Sequence, residues 1–563
     1  MDAVIAMTGG GGWPMSVLLL PDRRPFWGGT YLPKGAFLQL LDQVEKVWKE
    51  QPEQIRAGGE RLTDALKDDR TQPAAENLAQ LQLMERFAGQ ALQRFDKTHG
   101  GFGDAPKFPS SLALRLLLRL YKEHKQPVLL EMAERSLAGM ACGGLFDQLA
   151  GGFHRYSTDE KWLVPHFEKM LYDNALLVPA YLEAHCLTGK QLYADVARET
   201  LAYMLRDLRD PGGAFYSAED AGEVGKEGQF YVWKLEELGV ALDSAFANFT
   251  EAYPVTKEGN FEHNTNVLHV SNVEAWELSR KLKGEREILL GLRAWRVRPH
   301  RDEKILTAWN GLALTALALG YRHLGDQAYL DAALKCAGWM KANLWDGNRL
   351  LRRSIAGESR FNGNSADYAF LIQGLIALYE VTFAAEWLLW ARELQAVLDR
   401  DFWSEELGAY YTAAAGEPGL ITRKVFLNDG ALPSPNSVSY QNLIRLSQLF
   451  VDPALDDRAA LVFEAHGNLP ERMTFAVPAL LLGLQLRVRN GPRVLVLAGC
   501  GEKEHGETLA ALRKKFLPDL LLAGGSGIPV VEGKKATVPS AFLCEDGACH
   551  APQPLAAALE AFQ

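Results

Sequence analysis

Between about residues 77 and 488, apolar residues recur at intervals of three and four along the chain. This spacing puts them on one face of an α-helix and predicts a succession of amphipathic helices. Many are joined by very short links, which make antiparallel neighbours. The predicted helices lie near 77–94, 110–124, 128–142, 166–187, 190–207, 285–296, 304–323, 327–344, 364–382, 385–400, 437–450, 454–465 and 473–488.

A short aromatic motif, preceded by an Asp, recurs in the longer links. Its copies are HGGFGD at His99–Asp104, AGGFHR at Ala150–Arg155, GGAFYS at Gly212–Ser217 and LGAYYT at Leu407–Thr412, with a degenerate copy beginning at Trp345. Most copies are 51 to 62 residues apart, and the gap of 135 residues from Phe215 to Leu350 suggests two such periods. A period near 60 with two helices per unit indicates a helical-hairpin repeat.

Stacked hairpins bury the apolar faces that a single hairpin leaves exposed. We therefore expect a mainly α protein in which about six hairpins close into an (α/α)6 barrel. The inner helices would form its core, and the loops that enter them would line one mouth. The alternative is an open superhelix of hairpins. We favour closure because the links are long and aromatic.

The two ends of the chain differ from the repeat. Residues 1–72 predict a strand, a turn at Pro21–Arg24, a second strand and a helix from about Lys34, and residues 73–490 would form the barrel. Residues 491–563 predict a small α/β element with strands at Val494–Gly499 and Asp519–Gly525. The glycine-rich segments Gly9–Gly12 and Gly499–Gly501 lack the residue spacing of a phosphate-binding or a dinucleotide-binding loop.

Composition narrows the class of protein. The net charge is −10 and no long run of Lys or Arg exists, so neither nucleic acid nor an anionic membrane is indicated as a partner. The apolar run Val17–Leu20 is too short to span a bilayer, and we expect a cytoplasmic protein. We expect ordinary thiols, including Cys544 and Cys549, although their spacing before His550 also suits a metal or a disulfide.

Residues 151–175, GGFHRYSTDEKWLVPHFEKMLYDNA, carry the densest chemistry. Pro165 is predicted to open a helix, which would put His166, Lys169 and Asp173 on one face. Lys169 and Asp173 at i, i+4 also suit a plain ion pair. This set of side chains favours a polar ligand at the end of a helix.

The chain resembles the spermatogenesis-associated protein 20 family. The matching motifs include GGWPMSVLLLPDRRPFWGGTYLP at 11–33, KFP at Lys107–Pro109, the 151–175 segment, RPHRDEKILTAWNGL at 298–312 and DGALPSPNSV at 429–438. The resemblance implies a thioredoxin-like domain followed by an (α/α)6 barrel similar to the six-hairpin glycosidases and the N-acylglucosamine 2-epimerase group.

One departure concerns the thioredoxin-like part. The family implies a C-x-x-C motif ahead of the GGWP segment, but this sequence has no cysteine before Cys142. By the resemblance, Trp13-Pro14 occupies the position of the thioredoxin cis-proline. We expect an incomplete thioredoxin-like segment that cannot exchange dithiols, since the attacking thiolate is absent.

Two kinds of acid–base chemistry suit the predicted mouth. Glycoside hydrolysis needs two carboxyl groups, whereas epimerisation beside a carbonyl suits imidazoles such as His154, His166 and His300. We predict that four residues position and protonate a sugar, namely His154, Arg155, His166 and Asp173. Their predicted carboxylate partners are Glu219, Asp220, Asp302 and Asp429. Capping of a helix N-terminus is the competing interpretation of each carboxylate, and it suits Asp302 and Asp367 best.

Aromatic and amide side chains in the same loops are the candidate substrate contacts. Sugar rings stack on aromatic faces, although many of these aromatics would belong to the core. The predicted substrate-binding residues are Tyr156, Trp162, Lys169, Tyr216, Trp309, Asn310, Asp367 and Asn436. Of the aromatics, we expect Trp162, Tyr216 and Trp309 to face the ligand.

The sequence thus predicts a carbohydrate-active or carbohydrate-binding barrel, either glycosidase-like or epimerase-like, that takes a sugar or an oligosaccharide. We expect no cofactor and no metal. The alternative is a non-catalytic platform for a redox or protein-quality role of the thioredoxin-like part, with a protein as a possible partner.

Overall fold

The computed structural model describes residues 1–67, 80–223, 225–487, 492–545, 548–560 and 562. The expected domain boundaries at 72/73 and 490/491 lie outside these residues. So do the predicted helical residues 77–79 and 488.

The N-terminal segment is a small α/β unit whose two strands pair antiparallel. Its elements are α1 (Asp2–Thr8), β1 (Ser16–Leu19), β2 (Pro25–Gly29), α2 (Lys34–Glu50) and α3 (Pro52–Lys67). Helices α1 and α3 pack on β2 and on each other. The Trp13–Pro14 peptide bond is cis, as the family resemblance implies.

Helices dominate the central part of the chain. They are α4 (Gln80–Arg94), α5 (Ser111–His124), α6 (Pro127–Cys142), α7 (Leu171–Thr188), α8 (Gln191–Tyr203), α9 (Leu235–Leu242), α10 (Phe246–Ala252), α11 (Val273–Lys281), α12 (Lys283–Arg293), α13 (Thr307–Leu324), α14 (Gln327–Leu344), α15 (Ser365–Thr382), α16 (Ala385–Phe402), α17 (Pro435–Phe450), α18 (Pro453–Glu464), α19 (Leu469–Arg472) and α20 (Pro478–Arg487).

Short strands lie in the links between these helices. They are β3 (Tyr156–Ser157), β4 (Pro165–His166), β5 (Lys169–Met170), β6 (Ala218–Glu219), β7 (Arg301–Asp302), β8 (Ile305–Leu306), β9 (Leu351–Ile355), β10 (Glu358–Asn362), β11 (Trp403–Ser404) and β12 (Ala409–Tyr410). They form small antiparallel sheets, of which β10-β9-β8 and β5-β6-β7 have three strands each.

The helices close into a ring. Inner helices α5, α7, α13, α15, α17 and α20 each pack on the next, and α20 returns to pack on α5. Helices α6, α8, α14, α16 and α18 each pack outside the inner helix that precedes them. Helix α4 completes the outer layer beside α19 and the turn that leads into α20. The ring confirms the (α/α)6 barrel and excludes the open superhelix.

The repeat between Phe215 and Leu350 differs from the prediction. Only one hairpin of the ring, α13 with α14, lies in this interval. The remaining residues form an insertion that contains α9 to α12, and α11 of this insertion packs on α6 and α8. The predicted helix at 285–296 is therefore α12, outside the ring. The gap is about two periods long, which suggested two hairpins of the ring, but much of it is an insertion that contains α9 to α12.

The predicted helix at 166–187 also begins later than expected, at Leu171. Residues 165–166 pair instead with 156–157, and residues 169–170 pair with 218–219. These cross-strand hydrogen bonds satisfy the backbone groups that a helix would have used, so tertiary pairing decides the conformation. His166, Lys169 and Asp173 consequently do not share a helical face, and no i, i+4 pair forms between Lys169 and Asp173.

The C-terminal element is the predicted small α/β unit. It contains β13 (Arg493–Ala498), α21 (Glu502–Leu512), β14 (Leu520–Ala523), β15 (Ser540–Glu545), β16 (Ala548–Cys549), β17 (Gln553–Pro554) and α22 (Leu555–Glu560). The Tyr379 hydroxyl donates to the Gly524 carbonyl at 3.0 Å, which ties the element to the C-terminal end of α15. Cys544 and Cys549 form a disulfide across β15 and β16, so the expectation of ordinary thiols is wrong for this pair.

Each recurring loop motif is held by the same backbone pairing. The residue that ends an outer helix, or lies just beyond it, bridges to the hydrophobic residue of the motif, in the pairs Phe95–Phe102, Phe146–Phe153, Arg209–Phe215, Trp345–Leu350 and Trp403–Tyr410. The repeated geometry explains the Asp in four copies, where the carboxylate accepts backbone N–H groups of the turn. Asp147, for example, accepts from Leu149 and Ala150, both at 3.1 Å. In the last copy the Ser404 hydroxyl accepts the Leu407 N–H instead, and Asp401 pairs with Arg400.

An inner-helix side chain then clamps the motif residue. The Phe215 N–H donates to Asn310 Oδ1 at 2.8 Å, and Asn310 Nδ2 donates back to the Phe215 carbonyl at 2.9 Å. Asn174 holds Phe153 and Asn436 holds Tyr410 in the same way. Asn310 and Asn436 are fully buried in this role, so they do not face the mouth as the sequence suggested.

Replacing the clamp should destabilise the barrel. In Asn310→Ala, both backbone polar groups of Phe215 would lose their partner inside the core. We expect a loss of roughly 2–4 kcal/mol in the free energy of unfolding, measured by denaturant titration. Asn343→Ala, on an exposed turn of α14, is the matched control and should stay close to wild type. Equal effects of the two substitutions would contradict the clamp.

Candidate functional site

The mouth of the barrel lies at the N-terminal ends of the inner helices, and its larger cavity has a volume of about 500 Å³. Residues from α5, α7, α20 and the loops before α7 and α17 line it. They are Phe108, Pro109, Ser110, Ser111, Leu112, Ala113, Arg155, Tyr172, Asp173, Leu176, Leu177, Asp429, Gly430, Ala431, Phe475 and Pro478. Three of the eight predicted catalytic residues, Arg155, Asp173 and Asp429, therefore meet here.

Asp173 is an unusual helix-terminal carboxyl group. It lies in the first turn of α7 but caps no backbone N–H, and its Oδ2 is buried without a hydrogen-bond partner among the described residues. Burial raises the pKa of Asp173 well above its usual range, although the Arg155 charge opposes the shift. This shift favours the protonated form, and the capping interpretation does not apply to the side chain because it accepts no backbone N–H within the described ranges.

Asp429 enters the same cavity from the loop before α17. Its two carboxyl oxygens accept the backbone N–H groups of Ser434 and Ala479, each at 2.7 Å. These bonds join the start of α17 to the start of α20 and fix the carboxyl group. Burial nevertheless raises its pKa to about 7, so it changes charge near neutral pH.

Arg155 belongs to a chain of charged groups at the rim. Its Nη1 donates to Glu168 Oε2 at 2.9 Å, and the same oxygen lies 3.2 Å from Nε2 of His166. The hydrogen bond from His166, followed by that from Arg155, lowers the pKa of Glu168 despite its partial burial. The Tyr156 ring stacks on the His166 ring, with the ring centroids 5.0 Å apart, and so supports this set of charged groups from outside.

A second cavity of about 340 Å³ adjoins the first, since Gly430 lines both. Trp309, Asp367, Arg352 and Asn364 contribute to its wall. Trp309 meets Tyr172 edge-on at 4.8 Å, so this aromatic pair bridges the two cavities. Trp309 thus lines the mouth, as the sequence suggested.

Asp367 keeps the role that the competing interpretation gave it. It accepts the Asn364 N–H at 2.8 Å as part of a capping box and the Ala308 N–H of α13 at 2.9 Å. Burial raises its pKa to about 6, although Arg352 opposes the shift. Asp367 therefore pins two adjacent inner helices while it lines the second cavity.

His154 and Lys169 lie beneath the mouth and do not line either cavity. The His154 Nδ1 is 3.0 Å from the Phe167 carbonyl, which makes it the donor, and the ring packs edge-on against Phe167 and Tyr231. Burial, and next the Lys169 charge, lower the pKa of His154 to about 3, so the imidazole is neutral.

Lys169 is part of a buried ion network. Its Nζ lies 2.7 Å from Asp147 Oδ2, and Arg293 donates to both oxygens of Asp147 at 2.9 Å. Burial alone would raise the pKa of Asp147, but Arg293 and Lys169 hold it well below its usual value. Arg293 comes from the insertion, so the network fastens the insertion to the barrel.

Three of the predicted carboxylate partners point elsewhere. Glu219 is buried and takes bonds from the Tyr203 hydroxyl and Arg298 Nε, at 2.9 and 2.6 Å. Asp302 pairs with Lys304 at 2.8 Å, and Asp220 lies 3.4 Å from Nδ1 of the exposed His300. All three lie on or next to the strands β6 and β7, and their ion pairs hold this sheet and its flanks instead of lining a cavity.

Two of the predicted ligand-facing aromatics are also structural. Trp162 is 1% exposed, and its Nε1 donates to the His99 carbonyl at 3.0 Å. Tyr216 donates to Asp210 at 2.9 Å beneath Arg301. Both aromatics hold the loops in place, because neighbouring turns supply their polar partners.

Several lining residues escaped the sequence analysis. Tyr172 lies within the 151–175 segment but is not among the predicted contacts, and burial raises its pKa to about 12. Phe108 belongs to the KFP motif, which was the available signal. Arg352 lies in a strand hairpin with no distinctive pattern, and only the fold brings it to the mouth.

Within the described ranges, no group of three or more His, Cys, Asp or Glu side chains is arranged to hold a metal ion. In those same ranges no helix is both long enough and apolar enough to cross a membrane.

The raised pKa of Asp429 can be tested through the pH dependence of the free energy of unfolding. The folded-state pKa lies near 7, whereas an Asp carboxyl group ordinarily has a pKa of 3.8, so the contribution of Asp429 to stability is full below about pH 4 and is lost as the pH rises through 7. Asp429→Asn removes this titration. We expect the difference in unfolding free energy between variant and wild type to shift in favour of the variant by on the order of 4 kcal/mol from pH 4 to pH 8.

Denaturant titrations of both proteins across that pH range measure this difference. A loss of one backbone hydrogen bond in the variant adds a constant offset and leaves the pH-dependent part unchanged. A difference that does not vary with pH would show that Asp429 does not titrate in this range.

Comparison with known proteins identifies relatives along the whole chain. Residues 1–67 match the family model Thioredox_DsbH, described as a protein of unknown function, DUF255. Spermatogenesis-associated protein 20 of Homo sapiens is 32% identical over 98% of this chain and 79% of its own length. The Rattus norvegicus protein of the same name is 32% identical over 94% of this chain and 74% of its own length.

Solved structures with a similar course of the chain include cellobiose 2-epimerase from Spirochaeta thermophila, with 15% identity and a TM-score of 0.43 over 68% of this chain and 84% of that one. A D-mannose isomerase has 11% identity and a TM-score of 0.47, and the match covers 69% of this chain and 85% of that one. The two relatives named spermatogenesis-associated protein 20 are 32% identical over 98% and 94% of this chain, and on that ground the chain belongs to the spermatogenesis-associated protein 20 family.

Proposed function

We propose that this protein acts on a carbohydrate and that Asp173 and Asp429 carry out acid–base chemistry in the 500 Å³ cavity. One observation carries the proposal. Two partly buried carboxyl groups from different hairpins line the same cavity, and loss of contact with solvent raises the pKa of each. Perturbed carboxyl groups in a shared cleft are typical of acid–base sites.

The two environments separate the roles of the carboxyl groups. Asp173 has no hydrogen-bond partner for Oδ2 within the described structure, and burial raises its pKa, so it suits the general acid. Asp429 is fixed by two backbone N–H groups and is partly ionised near pH 7, so it suits the base or nucleophile. Pairs of carboxyl groups with separated pKa values are the usual assignment in enzymes that cleave glycosides.

In this reaction Asp173 would give its proton to the glycosidic oxygen as the bond to the anomeric carbon breaks. Asp429 would take a proton from the incoming water, or would bond to the anomeric carbon before water replaces it. Arg155, Tyr172 and the aromatic face of Phe108 would orient the sugar ring.

Epimerisation by a pair of imidazoles has less support. His154 is buried and neutral, His166 is bonded to Glu168 at the rim, and His300 is 79% exposed beside Asp220. These three rings do not line a common cavity. Glycoside hydrolysis is therefore the reaction that the placement of side chains favours.

Activity assays with a panel of disaccharides and 4-nitrophenyl glycosides test the proposal. For any substrate that is turned over, we expect Asp173→Asn to lower kcat by about 10²–10⁴-fold, because the proton donor is lost. Asp331→Asn, on the exposed face of outer helix α14, is the matched control and should retain full activity. Equal activity of Asp173→Asn and wild type would refute the assignment.

A second candidate role is a non-catalytic platform for the thioredoxin-like segment, which the family-model match to residues 1–67 favours. The two proposals differ in one measurement. A sugar-active mouth requires that some saccharide of the panel raises the melting temperature and that Asp173→Asn or Asp429→Asn alters this effect. If no saccharide does so, the platform is the better description.

A further inference from the structure

A third cavity, here termed the chamber, has polar walls and lies at the other end of the barrel axis, under the C-terminal element. Its volume is about 70 Å³, and the cover is formed by residues 516–518 and Leu520. The inner helices contribute the charged side chains Arg115, Arg119, Glu183, Arg322, Glu380 and Arg445. Four guanidinium groups thus face two carboxylates, which leaves an excess of two positive charges inside the fold.

The two carboxylates are already engaged. Arg115 and Arg119 both donate to Glu183 Oε1 at 2.8 Å, and together they hold the pKa of Glu183 at about 2 against the effect of burial. Glu380 Oε1 accepts the Leu522 N–H at 3.1 Å and lies 3.7 Å from Arg322. Burial keeps the neighbouring His323 neutral, since it lowers the pKa of that ring to about 4.

Arg445 has no close ion pair within the described structure, although the Glu380 carboxylate is near enough to act on its charge. Among the described residues it forms no ion pair within 4.0 Å and no side-chain hydrogen bond, and its Nε is buried without a partner. The Nε atoms of Arg119 and Arg322 are also buried and unpartnered, and these side chains are only 5% and 9% exposed. Buried unpaired donors of this kind are costly, so they indicate a missing acceptor.

Helix dipoles do not supply the missing negative charge. The negative end of a helix acts within its last turn, where Arg322 of α13 lies. Arg119 and Arg445 lie more than one turn before the ends of α5 and α17. The helix termini therefore do not act on the unpartnered Nε atoms of these two residues, although Arg119 also bonds to Glu183.

We infer that this chamber is a binding site for one small oxyanion of the phosphate class. Guanidinium forks match such anions through paired N–H groups, which the unpartnered Nε atoms can donate. Glu183 Oε2 is buried and unpartnered as well, and the hydroxyl of a hydrogen phosphate can donate to it. The volume suits one such ion, given that a single water needs about 10–15 Å³.

The bound anion would join the barrel to its C-terminal element. The chamber wall includes both inner-helix arginines and residues 516–518 of the cover, so the ion would stabilise their contact. Lys122 already reaches across this boundary, because its Nζ bonds to the Phe516 carbonyl. The inference does not depend on the proposed carbohydrate activity.

Thermal unfolding in phosphate, with chloride at equal ionic strength as reference, tests the site. The full-length protein is first exchanged into phosphate-free buffer. We expect inorganic phosphate to raise the melting temperature by several degrees in a saturable manner, because a ligand that binds only the folded state stabilises it. Equilibrium dialysis with labelled phosphate should give one ion per chain.

Variants locate the ion. Arg445→Met should weaken phosphate binding at least tenfold, whereas Arg198→Met, an exposed arginine on outer helix α8, should not change it. Arg155→Met should also retain binding, which separates the chamber from the mouth. Should Arg445→Met fail to fold, Arg445→Lys keeps the charge, loses the fork and is expected to bind severalfold more weakly.

Three results would overturn the inference: no saturable binding to wild type, unchanged binding in the Arg445 variants, or loss of binding in Arg155→Met. In the first case the chamber holds water only. In the third case the phosphate occupies the mouth, and the chamber is not the site.

Discussion

The clamp between an inner-helix amide and the loop before it is the interaction on which the mouth depends. A closed ring of helices fixes the inner helices but leaves the long loops between hairpins undetermined. Asn174, Asn310 and Asn436 each satisfy both backbone polar groups of one buried loop residue. A loop held this way continues into the next helix in one direction only, so side chains from separate hairpins reach a common cavity.

The parallel inner helices give the barrel two chemically different ends. Their N-terminal ends form the mouth, where helix dipoles favour negative charge. Asp173 and Asp429 nevertheless have raised pKa values, because the effect of burial on each carboxyl group exceeds that of Arg155 on Asp173 and that of two backbone hydrogen bonds on Asp429. At the opposite end an excess of arginine meets the C-terminal element. Burial therefore decides the charge state at the mouth against the dipole.

The fold was predictable because it depends on periodic features of the sequence. Helical periodicity, short links and a loop motif every 60 residues or so are enough to indicate a ring of hairpins. The insertion between Phe215 and Leu350 was not predictable in this way, since its length imitates a repeat. The strands at 165–170 were also missed, because their partners at 156–157 and 218–219 pair through tertiary contacts that local propensity does not encode.

The lining of the mouth was only partly predictable, and the repeat explains which of the predicted residues reach it. At the start of the inner helices α7, α13, α15 and α17 the clamp residue turns inward, and the residue just before it lines a cavity of the mouth. Asp173 precedes Asn174, Trp309 precedes Asn310 and Asp367 precedes the clamp residue Tyr368, whose hydroxyl accepts the Leu350 N–H. A polar residue one position away has the opposite surroundings, so residue type alone cannot separate ligand contacts from clamps. Register within the repeat can, because it turns Asp173 to the cavity and its neighbour Asn174 to the loop that it clamps.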